Sequence, residues 1–174
     1  MENFNKQLNI NARNTERFLK DFFIKQNYYS NLIKSMKYGL FSKGKRFRST
    51  IIVNTGKIFN VSYKKLVIIG AAVECIHSYS LIHDDLPAMD DDDFRRGKLS
   101  THKKFNEATA MLAGNSLLTL AYEILSSKHL KLSDKVKTDL IQSLSVSVGR
   151  SGLAGGQYFD LFFENKNVSK NRII

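Results

Sequence analysis

The sequence predicts an all-α protein, and three observations predict it. Long segments carry apolar residues at helical spacing. No stretch alternates apolar and polar residues as a half-buried strand would. Proline, which breaks helices, occurs once in 174 residues, at Pro87. Glycines fall mostly in short clusters, no internal repeat is present and no linker divides the chain. A composition of 43% hydrophobic and 25% charged residues suits one globular domain, and the length supports a substantial core.

In chain order, the periodic segments predict helices over 11–25, 30–40, 48–59, 63–83, 90–94, 107–125, 133–149 and 155–163. Two of these have a capping rationale. Ser62 suits the N-cap of the fourth, and Ser133 precedes Asp134, whose charge favours a helix N-terminus. Residues 64–82 are the most apolar in the chain, with Ala71, Ala72, Val73, Ile76, Leu81 and Ile82, and predict a central helix buried on most sides. Residues 165–174 are polar and add no closing core element.

The formal net charge is +11 and the pI about 9.7, which points weakly to an anionic partner: a phosphate ester, a nucleic acid or a membrane surface. The lysines are scattered without a sustained basic block, as codon drift would also leave them. The single cysteine, Cys75, allows no internal disulfide and fits a reducing compartment. Residues 1–10 lack the apolar core of a signal peptide, and no apolar run approaches the roughly 20 residues of a membrane span. The expected location is the cytoplasm, without stable membrane insertion.

The most informative stretch follows the greasy helix directly. It holds Asp84, Asp85, Asp90, Asp91, Asp92 and Asp93, with Arg95 and Arg96 just beyond. Acidic runs are usually solvated helix ends. This one follows the most buried helix, and Pro87 must kink or bulge it. A bulge brings Asp84 and Asp90 onto one face, which six residues of ideal helix do not. Hard carboxylate oxygens bind Mg²⁺, which shares its shell with substrate phosphates, and arginine forks bind phosphate bidentately. The combination describes a metal-bridged diphosphate site. An EF-hand loop beginning at Asp90 fails, because Phe94 and Thr101 fall on its fifth and twelfth positions, where ligands are needed. His77 lies seven residues before Asp84, two turns away on the same face; a lone histidine there is either a satisfied core residue or part of the site.

The densest basic patch is Lys43, Lys45, Arg46 and Arg48 around Gly44. Only Phe41 and Phe47 interleave it, few for base stacking on a nucleic acid. Gly44 allows close backbone approach, and Lys45 and Arg48, three apart, are expected on one helical face suited to a single diphosphate.

These motifs, in this order, resemble the trans-prenyl diphosphate synthase family. Residues 74–90 resemble its first aspartate-rich motif and the helix that carries it, and 42–49 its Gly-Gly-Lys-Arg-x-Arg-Pro segment. Residues 101–105 and 113–115 resemble downstream segments, and Gly156, Gln157 and Asp160 its Gly-Gln-x-x-Asp. The four-residue spacing between Asp85 and Asp90, followed by two arginines, is closest to the bacterial farnesyl type. Lys43, Ser49 and Asn115 depart from the pattern, standing where Gly, Pro and Asp are usual.

The resemblance implies an isoprenoid synthase-type helical bundle and a prenyltransferase that condenses isopentenyl diphosphate with dimethylallyl or geranyl diphosphate. It implies Mg²⁺ on Asp84 and Asp90 with Asp85 assisting. Lys45, Arg48, His77 and Arg96 would bind isopentenyl diphosphate, and Arg95 would contact the allylic diphosphate. Gln157 and Asp160 would line the cavity, and Tyr79 with Ser80 would form the floor that limits chain length. A homodimer is implied too. The family fold is longer, so residues 1–174 correspond to its N-terminal part, short of a Lys-Thr pair and a second aspartate-rich motif; an incomplete, inactive homologue is the expectation. A non-catalytic partner subunit of the family would carry paired cysteine motifs and lose the aspartates. A basic nucleic-acid-binding helical protein would not set six aspartates beside its site.

Overall fold

Polar side chains set where several helices begin. In the computed structural model, which describes residues 2–24, 30–42, 44–164 and 166, Ser30 accepts a hydrogen bond from the Ile33 amide at 3.2 Å and opens α2 (Asn31–Leu40). Asn106 does the same for α6 (Glu107–Ser126), accepting from the Thr109 amide at 2.7 Å. Ser133 caps α7 (Asp134–Val148) through the Val136 amide, with Asp134 in the first turn. Ser62 holds the N-cap position of α4 (Tyr63–Asp84), but its hydroxyl makes no capping bond.

Helix α1 (Glu2–Ile24) starts nine residues before the sequence pattern does. Its buried seam of Leu8, Asn11, Thr15, Leu19 and Phe23 keeps helical spacing, but two of its members are polar and so invisible to a search for apolar periodicity. The polar members are partnered elsewhere: Thr15 hydroxyl to Ser49 hydroxyl at 2.6 Å, and Tyr63 hydroxyl to Asn11 Oδ1 at 3.0 Å. The end of the predicted helix at residue 25 lies outside the described residues.

Helix α4 is the central element. It packs against α6, α3 (Phe47–Ile58), α1 and α2, and its buried residues run all round, from Leu66, Val67 and Ile68 to Cys75, Ile76 and Ile82. Val53 of α3 joins Leu66 and Val67 in a core cluster flanked by Phe18, Ile52 and Tyr63. Each fully buried aliphatic side chain here stabilises the fold by roughly 1.5–3 kcal/mol. By length and composition alone α4 and α6 are long and apolar enough to cross a membrane, a test that buried core helices also pass. The two helices pack on each other, with most of the α4 window buried, while α6 leaves Met111 and Leu112 half exposed.

A charged cluster is buried in the same region. Arg46, with φ of 47°, turns its guanidinium inward to Glu16 at 3.1 Å, Glu74 at 3.8 Å and the Leu40 carbonyl at 2.6 Å. Glu74 also accepts the Ser49 amide at 3.0 Å. A proline at position 49 would have no N–H to offer, so the departure from the family pattern is structurally coherent.

Residues 90–94 do not form the predicted helix. Instead α4 ends at Asp84, and Pro87 sits in the turns that follow rather than in a kinked helix. Proline lacks the amide that continuation needs, and successive aspartates are poor helix formers that repel one another. The chain then makes an antiparallel hairpin, β1 (Phe94–Arg95) against β2 (Lys98–Leu99), pairing Phe94 with Leu99 and Arg95 with Lys98. Its two turn residues, Arg96 and Gly97, have φ of 54° and 76°, the positive values that a type I′ turn requires. A short helix α5 (Thr101–Lys104) leads into α6, and a 3₁₀ turn (Lys128–Leu130) follows it.

Two compact units result, Met1–Leu132 and Ser133–Ile174. The second contains α7 and α8 (Leu153–Phe163), packed on each other.

Candidate functional site

The end of α4 sets the geometry. The Asp90 amide donates to the Asp84 carbonyl at 2.9 Å, so the loop folds back and returns Asp90 to the helix end. The Met89 and Asp91 amides both bond the Leu86 carbonyl, which closes the loop around Pro87. Asp84 has its carboxyl pushed above the ordinary range, first by burial and then by the Asp90 charge. A half-buried carboxylate whose ionisation is disfavoured by burial and by the neighbouring Asp90 makes a place where a cation relieves the electrostatic cost. The hard oxygens of both aspartates match Mg²⁺.

Asp85 is arranged differently. It is 3% exposed, and Arg95 of the hairpin grips one of its oxygens through both Nε, at 2.7 Å, and Nη2. Burial raises the Asp85 carboxyl, with Arg95 opposing. The bond to Asp85 in turn raises the Arg95 guanidinium, which stays cationic. Arg95 Nη2 also reaches Asp92 at 3.4 Å. The Asp85–Arg95 pair thus ties the hairpin to α4.

A cationic surface adjoins the carboxylates. Arg48, exposed in the first turn of α3, donates from Nη1 to His77 Nε2 at 3.2 Å. Guanidinium only donates, so this bond requires a lone pair on Nε2 and a neutral imidazole. That agrees with a His77 pKa lowered to about 4 by burial, then by Arg48, Arg96, Arg46 and Arg95. Arg96 reaches across from the hairpin to Gly44, where a Cβ atom would come within 2.2 Å of Nη1. Only glycine leaves room for that guanidinium. Lys45 is exposed, but it precedes the helix, with Arg46 at the N-cap; it does not share a helical face with Arg48 as the spacing suggested. Lys43 lies outside the described residues.

Below the carboxylates, Tyr79 stands edge-on to His83 with ring centres 4.8 Å apart. Its hydroxyl is raised by burial, then by Asp84 and by Tyr122 of α6, so the ring lies near both. Ser80 turns its hydroxyl back to the His77 carbonyl at 3.0 Å. Gln157 and Asp160 stand three apart on one face of α8, in the second unit. A cavity of about 940 Å³ lies at the opposite end of α4, lined by Phe18, Phe22 and Tyr63 among others. Tyr63 is 21 residues from Asp84, about 30 Å along the helix, so that cavity is not part of this site.

Pattern reading missed the hairpin and the buried Arg46–Glu74 cluster. The hairpin had only a weak signal, Gly97 as a residue free to take positive φ, because Arg96 stands where two-residue turns usually have Asn, Asp or Gly. Arg46 had none, since buried and exposed arginines look alike in sequence.

Residues 30–173 match the polyprenyl synthetase family. A farnesyl diphosphate synthase of Buchnera aphidicola is 48% identical over 145 residues, covering 83% of this chain and 51% of that protein. One from Escherichia coli is 44% identical over 167 residues, covering 95% of this chain and 56% of its own length. The crystal structure of a geranyltransferase from Legionella pneumophila superposes with a TM-score of 0.90 at 38% identity, over 98% of this chain and 61% of the other. An apo FPP/GFPP synthase from Zymomonas mobilis gives 0.84 at 38% identity, over 96% and 59%. The chain therefore spans about half the length of the curated relatives it matches.

Proposed function

The chain belongs to the polyprenyl synthetase family, and from that premise we propose that it serves a Mg²⁺-dependent prenyl transfer of the farnesyl diphosphate synthase type. The substrates are isopentenyl diphosphate and an allylic diphosphate, dimethylallyl or geranyl. The observation that carries this reading is the return of Asp90 to Asp84 at the end of α4, beside the surface of Arg48, Arg96 and neutral His77.

Asp84 and Asp90 would hold Mg²⁺, which when bound takes up negative charge on the departing diphosphate. Asp85, fastened by Arg95, acts as a positioning residue that keeps the hairpin and its arginines in place. Arg95 has Nε and Nη2 committed to Asp85, so Nη1 is the edge it would offer to the allylic diphosphate. Lys45, Arg48 and Arg96 would bind the diphosphate of isopentenyl diphosphate as cations. His77 would do so as a neutral donor through Nδ1, its Nε2 being taken by Arg48. Cations preorganised around a diphosphate stabilise charge that grows as the C–O bond breaks, which is worth several kcal/mol per well-placed group, about 3–4 in measured cases.

As that bond breaks its electron pair leaves with the diphosphate. The isopentenyl π electrons form the new C–C bond to the allylic cation, and a proton is lost. Water has to be excluded meanwhile, as charge separation in a prenyl transfer requires; on the family resemblance alone, Gln157 and Asp160 of α8 would be cavity residues. Tyr79 and Ser80, five and four residues before Asp84, would form the floor about 6–7.5 Å below it. A cytoplasmic location and a homodimer complete the reading.

The test is a product assay. Residues 1–174 are fused to the portion of the Escherichia coli relative that this chain does not span, and supplied with labelled isopentenyl diphosphate, geranyl diphosphate and Mg²⁺. A C15 product from a folded fusion, lost in Asp84→Asn, is expected. A folded fusion without product, or one indifferent to Asp84→Asn, contradicts the reading.

A further inference from the structure

We propose that Asp91, Asp93 and His102 form a second cation site, separate from Asp84 and Asp90, that takes a borderline divalent cation such as Zn²⁺. One imidazole nitrogen of His102 and one carboxylate oxygen from each aspartate lie within 4.8 Å of one another. Ligands at roughly 2.0–2.2 Å from one tetrahedral ion stand about 3.3–3.6 Å apart, so the three side chains share an ion once rotamer adjustment of the two exposed aspartates closes the spacing.

Acidic clusters alone are common on surfaces, but His102 is an independent observation. It is 6% exposed, and its Nε2 is buried with no hydrogen-bond partner. Buried polar atoms almost always have a partner, and an orphan calls for an explanation such as a missing ion. Its other nitrogen, Nδ1, is 3.2 Å from the Ser100 hydroxyl. We assign Nε2 as the ligating nitrogen: with Nδ1–H donating to Ser100, Nε2 is left with a lone pair, and the ring is held in orientation as metal-bound imidazoles usually are.

The backbone supports the same grouping. The Ser100 amide donates to the Asp93 carbonyl at 2.9 Å, which fastens the aspartate loop to the start of α5. Imidazole is a poor ligand for Mg²⁺ and a good one for Zn²⁺, so the two sites differ in the ion they select. Lys103 Nζ now sits 2.8 Å from Asp93 Oδ1, in the open, and neutralises it. A bound cation displaces that ammonium and clips the loop that carries Asp90 to α5.

Calorimetric titration of the 174-residue chain with Zn²⁺ alone as ligand, in excess Mg²⁺ and without diphosphate, tests this. The expected result is one Zn²⁺ per chain. Asp91→Asn and Asp93→Asn, both at exposed positions that should leave folding intact, weaken it about tenfold or more. Lys103→Ala tightens it about two- to fivefold, because the competing ion pair is gone; a merely structural role for these residues gives no such gain. No Zn²⁺ binding, binding indifferent to both aspartate substitutions, or binding abolished instead by Asp84→Asn each overturns the proposal. Product formation by the fusion protein is a separate readout, so failure here leaves the transferase reading standing.

Discussion

His77 and Asp84 stand seven residues apart on one face of α4, and burial acts on them in opposite senses. It disfavours the charged form of each, so the imidazole is lowered and the carboxyl raised. For His77 the linkage is direct. An unfolded histidine takes its proton near 6.5, whereas the folded one does not until about 4. Between those values the unfolded chain binds more protons, so stability falls as pH drops from 6.5 towards 4 and is fully present above 6.5. Thermal melts across this window should show that slope, reduced in His77→Asn. An identical pH profile in the variant contradicts the assignment of a neutral, arginine-facing His77. Asp84 has the opposite sign: its ionised form is the costly one, so metal-free stability rises as pH falls through its raised pKa while cation binding is lost.

At the scale of elements, the end of α4 and the hairpin beyond it place the charges. Helix α3 contributes Arg48, the hairpin Arg95 and Arg96, and the loop before α3 supplies Gly44 as the seat for Arg96. Gly44→Ala puts a methyl 2.2 Å from Arg96 Nη1. That atom is the tip of a flexible side chain, so the guanidinium moves aside and stability changes by less than about 0.5 kcal/mol. Inorganic pyrophosphate affinity, measured by calorimetry, falls by about tenfold because a charge-assisted contact is lost. A variant with unchanged affinity argues against Arg96 as an anion ligand.

The main helices were legible in the sequence because their signals are local. Residues 63–83 and 107–125 carry apolar residues at helical spacing from end to end, and the observed α4 and α6 differ from them by a residue at one end. Residues 90–94 misled because aspartate at helical spacing carries no sign of which way the chain turns after Pro87. The proximity of Asp84 and Asp90 was inferred from a helix bulge, whereas a terminated helix and a returning loop produce it. Arg46 and Glu74 pair across 28 residues of chain, a non-local relation that periodicity cannot display.

At the scale of the whole molecule, α4 is long enough to link three tasks along one rod: core packing against α6 and α3, the Tyr79 level, and the carboxylates at its end. If the growing prenyl chain descends from Asp84 along α4, the Tyr79 ring sets where it stops. In the fusion with the Escherichia coli remainder, Tyr79→Ala should shift the product from C15 to C20 or longer. An active Tyr79→Ala fusion that still stops at C15 removes Tyr79 from the floor.

The central claim is that Asp84 and Asp90 hold a metal that carries a diphosphate. The most direct measurement is calorimetric binding of geranyl diphosphate to the 174-residue chain with and without Mg²⁺, for the wild type and for Asp84→Asn. The account predicts that Mg²⁺ strengthens binding about tenfold or more in the wild type, since the ion bridges carboxylate and diphosphate. It predicts that Asp84→Asn abolishes the Mg²⁺ dependence and leaves only the weak binding due to Lys45, Arg48 and Arg96. Binding that is independent of Mg²⁺ in the wild type, or equally Mg²⁺-dependent in Asp84→Asn, contradicts it.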